Sequence, residues 1–274
     1  VERRRLFRRE VRAPGLTGPI VRIGRLLNGP ACTFFVLGAL LMPPAQAAEV
    51  VQLALIERNP WLMVVGSDTP TFVLYESNRA IWKAGVEDGP VFLTTVLTDE
   101  ESLGLQSMAG ALLALDEYLD LSDWTDQPSQ EIYFRSSGEV VGRHVYGALR
   151  SSATPDRESS VRQVAPQPFL RLFDTLVGFG HENAEPWIPD YLEVMIWPYE
   201  YAPHASIEWP AGWPDIDSPT TLKRGDSYSL YVPYSEKEKL FGLLESRNAK
   251  GAVLISGRKW AASVRTPLPH EMAE

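Results

Sequence analysis

Six side chains able to stack on a ligand or hydrogen-bond to it crowd the segment YLEVMIWPYEYAPHASIEWPAGWPD, Tyr191 to Asp215: Trp197, Tyr199, Tyr201, His204, Trp209 and Trp213. Indole and phenol rings present flat apolar faces with one polar handle each, which suits a sugar ring or an extended peptide. Glu200, Glu208 and Asp215 stand among them as further hydrogen-bonding groups. The same segment has a structural reading. Trp197, Trp209 and Trp213 are each followed by proline, which fixes φ, removes an amide donor and biases the residue before it toward extended backbone. Three such corners would hold a long loop rigid against a sheet and cover an edge left open. The sequence favours this wall, and the six residues are the ligand-binding candidates if the wall is also a platform.

Other chemistries find less support. The histidines are His144, His181, His204 and His270, and no two of them stand at helical spacing from each other. The run HEN at His181 lacks the second histidine that HExxH needs to place two ligands on one helix face. A metal site would have to be assembled from distant positions, His181, Glu182 and His204 first, and none is expected. No cofactor is expected either, because no phosphate-cradling glycine loop occurs. A G-x-S-x-G nucleophile elbow is missing too. Paired carboxylates are the chemistry hardest to dismiss, since a glycosidase needs only two at the right separation. Asp116, Glu117, Asp123 and Asp126 are the candidates, each with an ordinary alternative as a solvated face or loop cap.

The elements that must position these residues follow a leader. Arg3, Arg4, Arg5, Arg8, Arg9, Arg12, Arg22 and Arg25 precede the uncharged run ACTFFVLGALLM, Ala31 to Met42, then Pro43-Pro44 and the small residues of AQA. This is the order of a secretory signal peptide, and the run is shorter than the roughly 20 residues of a permanent span. Residues 1–47 are therefore expected to be a signal peptide cleaved near Ala47, and 48–274 a single α+β domain, exported to a periplasm or the medium. The chain carries −9 at neutral pH. Without the eight arginines and two glutamates of the leader it carries −15. Such acidity argues against nucleic acid or an anionic membrane as partner, because both require clustered Lys and Arg. Cys32 is the single cysteine and lies in the leader, so the exported part is expected to rely on a core without disulfides.

From Gly66 the pattern is short strands broken by polar turns. TFVLYESNRAIWKAG (from Thr71) reads as a hairpin about ESNR, and VFLTTVL (from Val91) as a strand. Thr98 and Glu101 form a capping box, and the apolar spacing Leu105, Met108, Leu112, Leu115, Leu119 predicts a helix reaching Asp120. Gly104 and Gly110 within it suggest a close approach. QEIYFRSSGEVVGRHVYGA is a hairpin bent at SSG. Ala153 to Pro168 reads as a surface loop, and Pro168 onward as a helix carrying Phe169, Leu172, Phe173, Leu176 and Val177 inward. YLEVMIW is a central strand. SYSLYVPY, a second capping box at Ser235 and Glu238, and the hairpin AVLISGRKWAASVR repeat the order strand, capped helix, hairpin. The fold expected is α+β, a mainly antiparallel sheet built of hairpins with three helices packed on it and two βαββ-like units.

WAASVRTPLPHE, Trp260 to Glu271, resembles the ending of a group of uncharacterised exported bacterial, actinobacterial-like proteins whose last strand runs into an Arg-x-Leu-Leu-Pro tail, although Thr266-Pro267 interrupts the tail in this chain. The resemblance implies an extracytoplasmic location and an α+β fold, and it carries across no catalytic residue. The function expected is that of an exported soluble binding or structural module whose partner is an extracytoplasmic ligand or protein. The alternative is an extracytoplasmic carboxylate-dependent hydrolase acting on a glycan or peptidoglycan.

Overall fold

The computed structural model describes residues 49–61, 68–85, 91–150 and 160–272. The leader expected over 1–47 and its cysteine lie outside them. Two mostly antiparallel sheets and four α-helices make up the described residues. The first sheet contains β1 (Val51–Arg58), β2 (Phe72–Tyr75), β3 (Arg79–Ala84), β4 (Val91–Val96), β5 (Tyr118–Asp120), β6 (Ser129–Ser136), β7 (Glu139–Tyr146) and β8 (Glu185–Pro186). Their order is β5-β7-β6-β1-β2-β3-β4-β8. The second contains β9 (Tyr191–Pro198), β10 (Ile207–Glu208), β11 (Leu222–Arg224), β12 (Ser227–Pro233), β13 (Val253–Ile255) and β14 (Arg258–Arg265), in the order β10-β13-β14-β9-β12-β11.

Period-2 alternation sorts the side chains of the first sheet. Leu53, Leu55, Phe72, Leu74, Ile132 and Phe134 face one way and are fully or nearly buried. They pack against α1 (Asp99–Gly110) and α3 (Gln167–Val177), which contribute Leu105, Phe169, Leu172, Phe173 and Leu176. Ala54, Val73, Tyr75, Ile81 and Phe92 form a separate cluster with Leu268 of the carboxyl-terminal tail. The central part of the sheet is thus buried on both faces, which is why β2 reads FVLY, its one polar side-chain atom being the Tyr75 hydroxyl that meets His270 Nδ1 at 3.0 Å. In the second sheet Leu192, Val194, Ile196, Leu230 and Val232 pack with Trp260 and with Leu240 of α4 (Lys237–Glu245).

The β6–β7 and β13–β14 hairpins turn at Ser137-Gly138 and Ser256-Gly257, all four with positive φ (51° and 85°, 49° and 74°). Positive φ at both central residues is the primed turn whose twist matches antiparallel strands. Thr98 caps α1 as its sequence predicts, its hydroxyl accepting from the Glu101 amide while the Glu101 carboxylate accepts from the Thr98 amide.

Four expectations are corrected. The helix stops at Gly110, tightens into a 3-10 turn over Ala111–Ala114 and then extends into β5. Arg143 of β7 donates to the carbonyls of Leu112 (3.0 Å) and Leu113 (3.4 Å), supplying partners from outside the helix where it ends. Leu115 and Leu119 still reach the core, from extended backbone. No close approach occurs at Gly104 or Gly110, since a Cβ on either meets nothing within 4 Å. The Ser235–Glu238 capping box is absent: Tyr234–Glu236 is a 3-10 turn and α4 starts from Glu236 without a side-chain cap. The expected loop Ala153 to Pro168 contains α2 (Ser160–Val164), anchored by buried Val161 and Ala165.

β1 lies N-terminal to Gly66, where the sequence reading placed no element, and it pairs with both β2 and β6. In the second sheet β12, α4 and the β13–β14 hairpin follow one another, whereas in the first β5 stands between α1 and the β6–β7 hairpin, and the two hairpins enter their sheets in opposite sense. β6, the first strand of its hairpin, is innermost in one sheet, and β14, the second of its hairpin, is innermost in the other. No described helix is long and apolar enough to cross a membrane.

Candidate functional site

The aromatic segment begins where β9 ends. Tyr199 N–H bonds the Lys259 carbonyl at 2.9 Å, and Ala202 N–H closes a turn on the Tyr199 carbonyl. The chain then runs along the edge of β13, where Ile207 and Trp209 amides donate to the Ala252 and Leu254 carbonyls at 2.9 and 3.1 Å. β10 is this contact, a short parallel strand that covers an edge otherwise open to pairing. Trp209 drives its ring into the second core, is 9% exposed, and donates its indole N–H to the Pro214 carbonyl at 2.9 Å. Trp213 meets it edge-on, centroids 5.0 Å apart. The Asp215 carboxylate is occupied by Ser218 Oγ (2.9 Å) and the Asp217 amide (3.1 Å), bonds that hold its pKa below the ordinary range, Ser218 foremost. Thr221 Oγ1 donates to the Asp215 carbonyl and ties the turn to the start of β11.

Beside this fixed loop lies a cleft of about 410 Å³, within the range of small-molecule sites. Tyr191, Trp213, Thr220, Tyr231, Pro233 and Glu236 line it. Pairing of β9 with β12 brings Tyr191 opposite Pro233 and Tyr231 opposite Glu193, and Tyr234 N–H on the Asp190 carbonyl fixes the strand ends at 2.9 Å. Glu236 stands at the start of α4, its Oε2 accepting from Lys239 Nζ at 2.9 Å. That bond holds the carboxyl below its usual pKa, and the Trp213 indole adds to the effect. Tyr231 is 6% exposed, and its hydroxyl is buried without a hydrogen-bond partner. Burial and then the Glu193 carboxylate push the phenol up, while Arg224 approaches without a hydrogen bond of normal geometry and pulls it partly back. The group stays a protonated donor.

Of the six sequence candidates the cleft gathers Trp213. Trp209 supports it from the core side. Trp197 is half-buried on β9, and Tyr199 is half-buried at the turn beyond it. Tyr201, 95% exposed, and His204, also exposed, stand apart on the loop toward Lys250, whose carbonyl takes the His204 amide. Tyr191, Tyr231 and Glu236 were missed. Tyr231 alternates with Ser227 and Ser229 on one face of SYSLYVP, a signal for a face lacking the ordinary apolar residues.

Elsewhere the polar candidates scatter. Asp116, Glu117, Asp123 and Asp126 are all exposed and none lines the cleft. His181 Nδ1 accepts from the Asn183 amide at 3.1 Å, which leaves Nε2 to face Glu101 at 3.4 Å; His204 belongs to the other sheet's loop. His144 faces Glu131 at 3.8 Å and meets the Tyr133 ring edge-on, while Arg58 Nε and Tyr133 OH donate to Glu131 at 3.0 and 3.1 Å. Among the described residues no three His, Cys, Asp or Glu side chains converge as metal ligands. No protein-family model, no curated protein and no solved structure matches this chain.

Proposed function

We propose that the protein is an exported binding module that holds a small ligand in the cleft beside Trp213. The observation that carries this reading is the cleft's composition: three aromatic side chains, a carboxylate already paired with a lysine, and the Thr220 hydroxyl. Aromatic walls with a few convergent polar groups are the usual make-up of a binding pocket. The hydrolase alternative asks for two carboxylates roughly 5–10 Å apart across a bond to be cleaved. The cleft lining supplies Glu236 alone, with Lys239 on it, so binding is the better supported of the two. The strand β12, helix α4 and hairpin β13–β14 belong to the same reading as a βαββ-like unit of the second sheet, which provides β12 and the start of α4 as walls of the cleft.

The cleft is tested by following the Trp213 indole and Tyr231 ring resonances of the purified protein while adding cellotriose, chitotriose, maltotriose, tetramethylammonium or inorganic phosphate in turn. At least one probe is expected to shift them saturably, and Tyr191→Ala, a change at a 41% exposed position, should abolish the shift. Silence toward all five overturns the cleft. Export is tested separately by amino-terminal sequencing of protein recovered outside the cytoplasm, where a start near Ala48 is expected and an intact Val1 would overturn it.

A further inference from the structure

We infer that the cleft takes a neutral saccharide, an inference resting on the binding role proposed above. The charge of the site argues for it first. Glu236 is the sole ionised residue among those lining the cleft, and its Oε2 is 2.9 Å from Lys239 Nζ. An organic cation would have to compete with that lysine for the carboxylate. Lys239 offsets that carboxylate, and an anion finds no uncompensated positive charge among the residues lining the cleft. A neutral ligand avoids both costs.

The polar groups argue for hydroxyls. A carboxylate bonded to one lysine keeps free lone pairs that accept from O–H donors. Thr220 adds a group that both donates and accepts. The aromatic groups argue for a ring. The Tyr191 and Trp213 side chains offer apolar surface with polar tips, to which a pyranose can apply its C–H face while its equatorial hydroxyls reach the rim. Phosphorylated and uronic sugars find no unpaired cation among the lining residues to offset their charge, and long alkyl ligands would leave the polar groups unsatisfied.

The experiment is calorimetric titration of the purified protein with cellotriose, chitotriose and maltotriose beside tetramethylammonium and inorganic phosphate. At least one saccharide is expected to bind and the two ions are not. Thr220→Ala, a change at an exposed position lining the cleft, is expected to weaken the saccharide roughly two- to tenfold while leaving the free protein's Tm unchanged. Glu236→Gln, which keeps an acceptor but frees Lys239, should weaken saccharides and admit phosphate. Binding of tetramethylammonium or phosphate with no saccharide overturns the ligand class and leaves the cleft standing as a site. Saccharide affinity unchanged in both Thr220→Ala and Glu236→Gln overturns the role of the polar lining, and with it the inference. No heat from any ligand overturns cleft and class together.

Discussion

Arg265 on β14 lies against Glu193 on β9, its Nε and Nη2 each 2.6 Å from the same carboxylate oxygen, with Glu193 1% exposed. Ser229 Oγ fills the other oxygen, and Arg265 also reaches Glu271, whose second oxygen accepts the Leu268 amide at 2.8 Å. The network fastens the tail, so that Leu268 can enter the cluster containing Tyr75 and Phe92. Removing one partner strands a buried charge. Glu193→Ala and Arg265→Ala should each cost about 3–5 kcal/mol, read by urea unfolding. A loss near that of an exposed pair would show the network to be decorative.

Glu57 sets a pH dependence. Burial would push its carboxyl up, but the Arg150 guanidinium, bonded to both oxygens, and the Thr71 hydroxyl at 2.6 Å outweigh it and hold the pKa below the ordinary value. A carboxyl depressed by folding contributes stability that is present above its unfolded pKa of about 4.3. The contribution is lost as the pH falls through the lower folded value. Arg150→Ala should therefore melt below wild type at neutral pH, and the two curves should converge in acid. A gap that stays constant across that range would contradict the assignment.

Two glycines should respond in opposite directions. Gly104 is exposed in the interior of α1, where a Cβ meets nothing within 4 Å, so Gly104→Ala should stabilise by about 0.5–1 kcal/mol. At Gly251 a Cβ would sit 2.7 Å from the Ala205 carbonyl oxygen. That oxygen belongs to backbone and yields little, so Gly251→Ala should destabilise by about 1–3 kcal/mol. Thermal melts of the two variants decide.

The wall and platform readings of the aromatic segment separate by stability. Trp209→Ala should cost about 3–5 kcal/mol, since it empties a buried position and leaves the Pro214 carbonyl unpaired. Tyr201→Ala and His204→Ala should stay within about 0.5 kcal/mol, both side chains being exposed. Comparable losses in all three would mean that the loop packs otherwise than described.

Much of the local structure is written locally. The Thr98 capping box, the apolar face of α3 and the Ser-Gly turns depend on residues three or four apart, and each forms where its spacing predicts. The helix expected to reach Asp120 fails for a non-local reason: Arg143, about thirty residues on, bonds carbonyls where the helix stops, and β7 offers a strand for Tyr118–Asp120 to join. β1 carries no alternation to mark it: LALI, Leu53 to Ile56, is a continuous apolar run because the strand is covered on both faces, and a short run of that kind does not by itself tell strand from helix. The division into two sheets was equally hidden, since alternation identifies a strand but not its neighbour.

The candidate site divides in the same way. The Trp-Pro corners and their tendency to extend were legible in adjacent residues, and so was the crowding of aromatics. That Trp209 turns inward while Trp213 meets Tyr231 and Glu236 at a cleft was decided by the tertiary structure, through the β9–β12 register and the parallel seat of β10 on β13. Capping, turn geometry and side-chain period are energies of neighbouring residues, whereas strand partnership is chosen among distant segments of similar pattern by which pairing buries both faces best.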